Sequence, residues 1–279
     1  MSTVVVGARG AVGRHVVAGL LAAGEVVRAS VRRPTADLPA SVEVVQADLD
    51  RPETLPAAVD GMRQAFLYAT SPEGAGAFAR AARAAGVERV VLMSSGSVLL
   101  PWARDNAIAA EHRAAEEAVA GLLKCTPIRP LVLANNALHW ADAIRTSRSV
   151  ELVHPEAMLA PIHERDIAAV AVAALTETAA AAPDGLLTGG ELLSQRRQVE
   201  VIGEAVGVSI RVDVLTEDEA RTRFARWAAS PEEVDAVLEF LADAGAGGSP
   251  ATTTARDVLG RDPIPFAEWA REHASEFRS

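Results

Sequence analysis

One cysteine, one lysine and one tyrosine in 279 residues close off several kinds of chemistry at once. Cys125 has no partner for an internal disulfide. Its apolar setting, Leu122-Leu123-Lys124-Cys125-Thr126-Pro127-Ile128, reads as a buried structural thiol rather than a nucleophile. Lys124 is the only lysine among 27 basic residues, so any lysine-dependent reaction must use it or do without. Tyr68 is the only tyrosine. The net charge of -10 lacks the basic footprint of a nucleic-acid binder. No apolar run reaches the ~18 residues that cross a bilayer. The first strand begins almost at Met1, which leaves no room for a signal peptide, so a cytoplasmic protein without a membrane partner is expected. His112, His139, His154 and His163 are dispersed, and none forms a short ligand-spaced motif with a second His or Cys. No metal site is expected, and no nucleophile-elbow sequence supports a Ser-His-Asp arrangement.

What the chain does have is a glycine turn in the right setting. In Thr3-Val4-Val5-Val6-Gly7-Ala8-Arg9-Gly10-Ala11-Val12-Gly13-Arg14-His15-Val16-Val17, a β-branched run enters three glycines and an amphipathic run leaves them. Val16, Val17, Leu20 and Leu21 are spaced to cover one helix face. Strand, tight turn and helix start together set a phosphate against the free N–H groups and positive end of a helix. Three glycines at this spacing would be a weak signal alone; the strand before them and the helix after them give it force.

The rest of the chain alternates in the same way. Strands are expected at 25–31, 42–45, 65–69, 89–94 and 126–129. Helices are expected from Pro52 to about Gly61, at 78–85 and at 105–120. Gly24 and Gly86 stand where helix C-terminal glycines belong. Strands separated by helices imply right-handed βαβ crossovers and a parallel sheet, and the near-continuous apolar strands fit a sheet covered on both faces. Beyond residue 130 the rhythm loosens. Helices are expected at 134–147, at 163–176 and from Pro265. Capping boxes are expected at Thr216/Glu219 and Ser230/Glu233, and a flexible loop at 245–250. With 49% hydrophobic residues, the chain can bury a sizeable core as one α/β domain with an appended lobe, or as one large domain.

In a dinucleotide site the end of the second strand faces the adenosine ribose, where an acid favours NAD and an arginine favours NADP. Here the strand ends in Ser30-Val31-Arg32-Arg33-Pro34, with no acid from Val26 through Pro34. Arg9, inside the turn, is a third guanidinium for the same position. These residues point to NADP(H), against a plainer reading of Arg32 and Arg33 as solvated loop charges. Asp48-Leu49 follows the third strand, placed either to meet the adenine edge or to serve as a helix N-terminal acid near Pro52. Ala69-Thr70-Ser71 ends the fourth strand, where the ligand crevice of such a sheet lies. The cofactor contacts expected are therefore Gly7, Arg9, Gly10, Ala11, Val12, Gly13, Arg32, Arg33, Asp48, Leu49, Ala69 and Thr70.

These stretches resemble the atypical short-chain dehydrogenase/reductases of the NmrA-like, NAD(P)-binding group. The resemblance is carried by the Gly7–Gly13 loop, Val31-Arg32-Arg33-Pro34, Ala47-Asp48-Leu49-Asp50-Arg51-Pro52 and Ala84-Ala85-Gly86-Val87-Glu88-Arg89-Val90-Val91. It continues through Glu111-His112-Arg113-Ala114-Ala115-Glu116-Glu117, Ile128-Arg129-Pro130, Pro161-Ile162-His163-Glu164-Arg165-Asp166-Ile167-Ala168 and Phe266-Ala267-Glu268-Trp269. It implies a Rossmann domain and a smaller C-terminal lobe, with substrate held between them over the nicotinamide. Similar members include NADPH-dependent quinone or carbonyl reductases; others bind NADP(H) without turnover and act as redox-sensing regulators.

Ordinary members carry Tyr-x-x-x-Lys on the helix after the fifth strand. The best alignment here is Ile108-Ala109-Ala110-Glu111-His112, so Ile108 replaces the acid and His112 the lysine. His112 can still bond a ribose hydroxyl or the nicotinamide, or donate a proton near neutral pH; the alternative is an exposed helix histidine among glutamates. Ser94, Ser95 and Ser97 lie at the carboxyl end of the fifth strand, where a hydroxyl can orient a carbonyl, or where a serine-rich turn bonds to itself. His112, Ser94 and Ser95 are the catalytic candidates. Ser97, Asn135, Asn136, His139, Trp140 and His163 are the candidates for a substrate pocket, each of them a possible packing or capping residue instead.

The expected architecture is α/β: a Rossmann doubly wound parallel sheet over residues 1–130, with a smaller C-terminal lobe over residues 131–279 that forms the substrate cleft and interleaves with the sheet. The expected function is NADPH-dependent reduction of a small conjugated carbonyl or quinone-type substrate, since such an acceptor can take its proton from solvent. The alternative is a non-catalytic NADP(H)-binding redox sensor of the NmrA type. An epimerase or dehydratase is weaker without the acid–base pair. The expected partner is a small molecule; the assembly is left open, with a dimer as one option.

Overall fold

Valine-rich runs that alternate their side chains between two faces need helices on both sides, and the chain supplies them. The computed structural model describes residues 1–33, 38–69, 71–226 and 228–278. Strands β1 (Ser2–Val6), β2 (Val26–Val31), β3 (Glu43–Gln46), β4 (Gln64–Tyr68), β5 (Arg89–Met93) and β6 (Lys124–Pro130) come in sequence order. Helices α1 (Gly13–Ala22), α2 (Leu55–Val59), α3 (Pro72–Ala84) and α4 (Ala107–Ala120) connect them. Beyond these lie α5 (Ala141–Ser147), β7 (Ser149–Leu152), β8 (Met158–Leu159), α6 (Glu164–Thr176), β9 (Leu186–Leu187) and β10 (Leu193–Ser194). The chain finishes with α7 (Gln195–Val206), β11 (Arg211–Val214), α8 (Glu217–Phe224), α9 (Pro231–Gly245), α10 (Thr254–Leu259) and α11 (Phe266–Glu272).

The central sheet runs β3-β2-β1-β4-β5-β6-β9, with every neighbouring pair parallel. The order reverses between β1 and β4, which opens a crevice at their carboxyl ends, the ligand position of doubly wound sheets. Alternation along the strands divides the core in two. Val5, Phe66, Val91 and Ile128 face α1, α6 and α10, meeting Val16, Val17, Leu20, Ile167 and Val170. Val4, Val6, Leu67, Val90 and Leu92 face α2, α3 and α4. Each fully buried side chain of this kind contributes roughly 1.5–3 kcal/mol. Elements from beyond residue 130, namely α6, β9 and α10, therefore pack directly on the central sheet.

The remaining C-terminal elements build two smaller cores. One joins α5, β7, α7 and α11 around Ile144, Phe266 and Trp269. The other joins β8, α8 and α9 around Leu159, Val234 and Leu238.

Several boundaries differ from expectation for local reasons. The helix expected at 78–85 starts at Pro72, because the Ser71 hydroxyl accepts from Gly74 N–H and proline stands at the first position. The stretch expected to be helical over 134–147 opens as a 3-10 turn over Ala134–Trp140, pinned where Ala134 N–H donates to the Ile162 carbonyl. Thr216 and Glu219 form the full capping box. Ser230 forms only half of one, since Glu233 accepts from Ala229 N–H instead of from Ser230. Helix α9 continues through Gly245, so the loop expected at 245–250 begins one residue later.

Candidate functional site

The glycine turn is built by exclusion of side chains. Gly7 has φ +82°, in the left-handed region that glycine occupies without strain. Its carbonyl accepts from Gly10 N–H at 2.9 Å, closing the turn. A Cβ on Gly13 would stand 2.1 Å from that same carbonyl oxygen, so helix α1 can approach the turn only with glycine there. Val12 occupies the N-cap of α1 without a side-chain cap, and the first turn carries no acid. The positive end of the helix is thus left to a ligand.

In front of the turn lies a cavity of about 700 Å³, within the range of small-ligand sites. Gly7, Arg9 and Gly10 line it from the turn, Ser30 to Arg33 from the end of β2, and Ala47 to Asp50 from the end of β3. Arg9, Arg32, Arg33, Asp48 and Leu49 are therefore brought together. Ala11, Val12 and Gly13 carry the chain from the turn into α1. Asp48 accepts from Asp50 N–H at 3.1 Å while its own N–H donates to Thr54 Oγ1 at 2.9 Å, so it shapes the following turn as well as the cavity wall.

A second, smaller cavity of about 160 Å³ lies between the end of β4, the start of α3 and α4. Ala69, Ser71, Glu111 and His112 line it. Thr70 lies outside the described residues. Burial lowers the pKa of His112, while the Glu116 carboxylate acts in the opposite direction. Tyr68 lines both cavities, is 44% exposed and stands beside Gly7. Its place in the site is invisible without the strand order. The available signal was a lone tyrosine at the carboxyl end of a strand that turned out to flank β1.

The serines at the end of β5 are spent internally. Ser94 is buried and donates to Glu116 Oε1 at 2.6 Å. Ser95 caps the 3-10 turn Gly96–Leu99, accepting from Ser97 N–H, and the Ser95 and Ser97 hydroxyls bond to each other at 2.9 Å. The self-bonded turn is what the chain forms there. Asn135 accepts from Trp269 Nε1, Trp140 packs on the C-terminal core, and Asn136 and His139 are exposed. His163 is buried at the N-cap of α6, where Nδ1 accepts from Arg165 N–H and Nε2 lies 3.3 Å from Glu272. None of Ser97, Asn135, Asn136, His139, Trp140 and His163 lines either of the two cavities. Burial, with help from Glu116, pushes the Cys125 thiol up to about 12, which leaves it protonated and unreactive. Among the described residues, no group of three or more His, Cys, Asp or Glu is placed to hold a metal ion, and no helix is long and apolar enough to cross a membrane.

Comparison with known proteins agrees with this geometry. The NAD(P)H-binding family model matches residues 7–178. The chain is 35% identical over 280 residues to (4-alkanoyl-5-oxo-2,5-dihydrofuran-3-yl)methyl phosphate reductase of Streptomyces griseus, covering 98% of both chains. It is 30% identical over 292 residues to the NAD(P)H azoreductase of Xenophilus azovorans, again covering 98% of both. The NADPH complex of an NADPH-dependent quinone oxidoreductase from Escherichia coli shares the fold, with a TM-score of 0.77 at 20% identity over 97% of this chain and 99% of that one. Citrobacter triphenylmethane reductase complexed with NADP(H) does so at 0.77 and 19%, over 98% and 100%.

Proposed function

Because the chain belongs to the NAD(P)H-binding family, we propose that it is a cytoplasmic NADPH-dependent oxidoreductase that reduces a small conjugated carbonyl or quinone-type substrate. The observation that carries the cofactor choice is the cavity at the end of β2, where Arg9, Arg32 and Arg33 gather and β2 itself ends without the acid that takes a free ribose 2′-hydroxyl. The cradle fits a dinucleotide: the space at Gly13 would be filled by any Cβ, and the uncapped start of α1 suits a pyrophosphate. Gly7, Gly10 and the first N–H groups of α1 would hold the phosphates, and the three arginines the 2′-phosphate. Tyr68 would give the dinucleotide an aromatic surface between the two cavities. NADPH, when bound, supplies the hydride.

His112 is the residue on α4 best placed to bond the cofactor's nicotinamide half. Its lowered pKa keeps it neutral, so it offers one donor and one acceptor rather than a fixed charge. With Ile108 at the acid position of α4 and the Ser94, Ser95 and Ser97 hydroxyls already bonded, the usual tyrosine route to a plain ketone is missing from that helix. An acceptor that delocalises the incoming electrons and is protonated by water fits this arrangement better. The substrate side of the cleft falls to the segments after β5 and β6, where the C-terminal lobe meets the sheet.

Turnover is favoured over a sensor role because two relatives matched along almost their whole length are reductases. The ring double bond in the dihydrofuranone named for one of them is conjugated with carbonyl groups, and the azo bond named for the other is likewise an activated acceptor. The test is NADPH oxidation against a panel of quinones, enones, unsaturated lactones and azo compounds, with NADH run in parallel. Turnover with at least one conjugated acceptor and a preference for NADPH is expected. Tight NADPH binding with no turnover on any acceptor would favour the alternative, a non-catalytic sensor.

A further inference from the structure

Glu116 stands on α4 one helical turn beyond His112, and its carboxylate is where three elements meet. Oε1 accepts from the Ser94 hydroxyl at 2.6 Å and from Arg129 Nε at 2.8 Å, and Oε2 accepts from Arg129 Nη2 at 2.7 Å. Only 13% of the Glu116 side chain and 14% of Arg129 is exposed. This two-pronged arrangement fixes orientation as well as distance. The remaining nitrogen, Arg129 Nη1, donates to the Asp184 carbonyl at 2.8 Å, in the segment that enters β9. One carboxylate thus ties α4 to the end of β5, to β6 and, through the guanidinium, to the approach to β9.

The packing of α4 makes such a tie necessary. The residues it buries are Ala109, Ala115 and Val119, small side chains that interlock weakly with a sheet. Directional bonds must then supply the register that side-chain size does not. Residues four apart share a helix face, so whatever holds Glu116 also sets the height and rotation of His112.

We propose that Glu116 is a positioning residue that fixes where His112 stands at the mouth of the cofactor cleft. The inference rests on the reading that His112 faces the bound dinucleotide. Glu116 also supplies the negative charge that opposes the burial of His112. The other polar side chains lining the same cavity are Tyr68 at the end of β4, Ser71 at the N-cap of α3 and Glu111 on α4. If the carboxylate becomes an amide, Arg129 is left as an uncompensated cation on that side of the imidazole.

The decisive measurement is an NMR titration of the His112 imidazole, assigned with His112→Gln, in the wild type and in Glu116→Gln. A fall in the His112 midpoint of roughly one pH unit is expected in the folded variant, the size of effect a charge nearby produces. An unchanged midpoint overturns the proposal. Should Glu116→Gln fail to fold, Glu116→Gln/Arg129→Gln leaves no unpaired buried charge, and NADPH affinity is then read in a cycle with His112→Gln. About tenfold weaker binding with His112 present, and no further loss without it, supports the proposal; full additivity overturns it. The cofactor reading is judged separately, by whether NADPH moves the His112 resonances of the wild type. If it does not, that reading fails, while the titration still decides whether Glu116 governs His112.

Discussion

Nε2 of His273, after α11, lies 3.1 Å from Oε1 of Glu164, a carboxylate only 1% exposed at the start of α6. The contact raises the pKa of His273 against the opposing effect of its burial. Burial alone would push the Glu164 carboxyl up, but the His163 and His273 imidazoles, 3.2 and 3.1 Å from its oxygens, reverse this and hold it well below the usual carboxylate range. The stabilisation from His273 is complete below its ordinary value of 6.5 and is lost as pH rises through its raised folded value. That from Glu164 is complete above its ordinary value of 4.5 and is lost as pH falls through its depressed folded value. The pair therefore stabilises most at mildly acidic pH. His273→Gln should cost about 1–2 kcal/mol at pH ~6, a few degrees of Tm, and progressively less toward pH ~9. Thermal melts of both proteins across that range check it; a difference that does not change with pH would refute it.

Gly13→Ala should abolish dinucleotide binding while leaving most of the fold. The added methyl meets the Gly7 carbonyl at 2.1 Å, so the turn must open and its N–H groups lose their common focus. A loss of stability of roughly 1–3 kcal/mol should accompany it. Calorimetry with NADPH, set beside far-UV circular dichroism, separates the two effects.

Arg32→Ala/Arg33→Ala should weaken NADPH binding by about 10- to 100-fold, at the scale of one or two charge-assisted hydrogen bonds. NADH binding should change little, because it lacks the 2′-phosphate. Equal losses for both nucleotides would show that the arginines serve some other purpose.

Tyr68→Phe should bind NADPH nearly as well as the wild type, while Tyr68→Ala should lose about 1 kcal/mol or more, as expected for an aromatic surface. If Phe proves as damaging as Ala, the phenol oxygen and not the ring is what the ligand needs.

Cys125 should resist a thiol reagent in the native protein at pH ~8 and react stoichiometrically once the chain is unfolded. Its raised pKa of about 12 leaves almost no thiolate in the folded state. Rapid native labelling would mean that β6 opens far more readily than its neighbours on both sides suggest.

The sheet and its glycine turn were legible because their signals are local. β-Branched runs, the spacing of Gly7, Gly10 and Gly13, and the arginines after β2 all sit within a few residues of what they specify. Tyr68 escaped notice because its role comes from β4 lying beside β1, a relation between residues some sixty apart. Ser94 and His163 looked available in the sequence because their partners, Glu116 and Glu272, are brought in by other helices. The missing boundary at Pro72 was of another kind: the Ser71 cap was there to be read, but alanines and glycines in the following turns carry little apolar periodicity.

Helix α6 shields the apolar stripe of α1, where Val16, Val17 and Leu20 meet Ile167, Val170 and Ala171. A ribosome working from the N-terminus has finished the phosphate turn long before it makes that cover. Until residue 176 is free, α1 is backed by the strands alone, and its apolar stripe lacks the cover of α6 that holds the helix steady against a ligand. The nucleotide site is thus among the first parts of the chain to be synthesised, yet it reaches its full packing only when a segment made much later has joined it. Cofactor capture should report a chain that has emerged at least through α6.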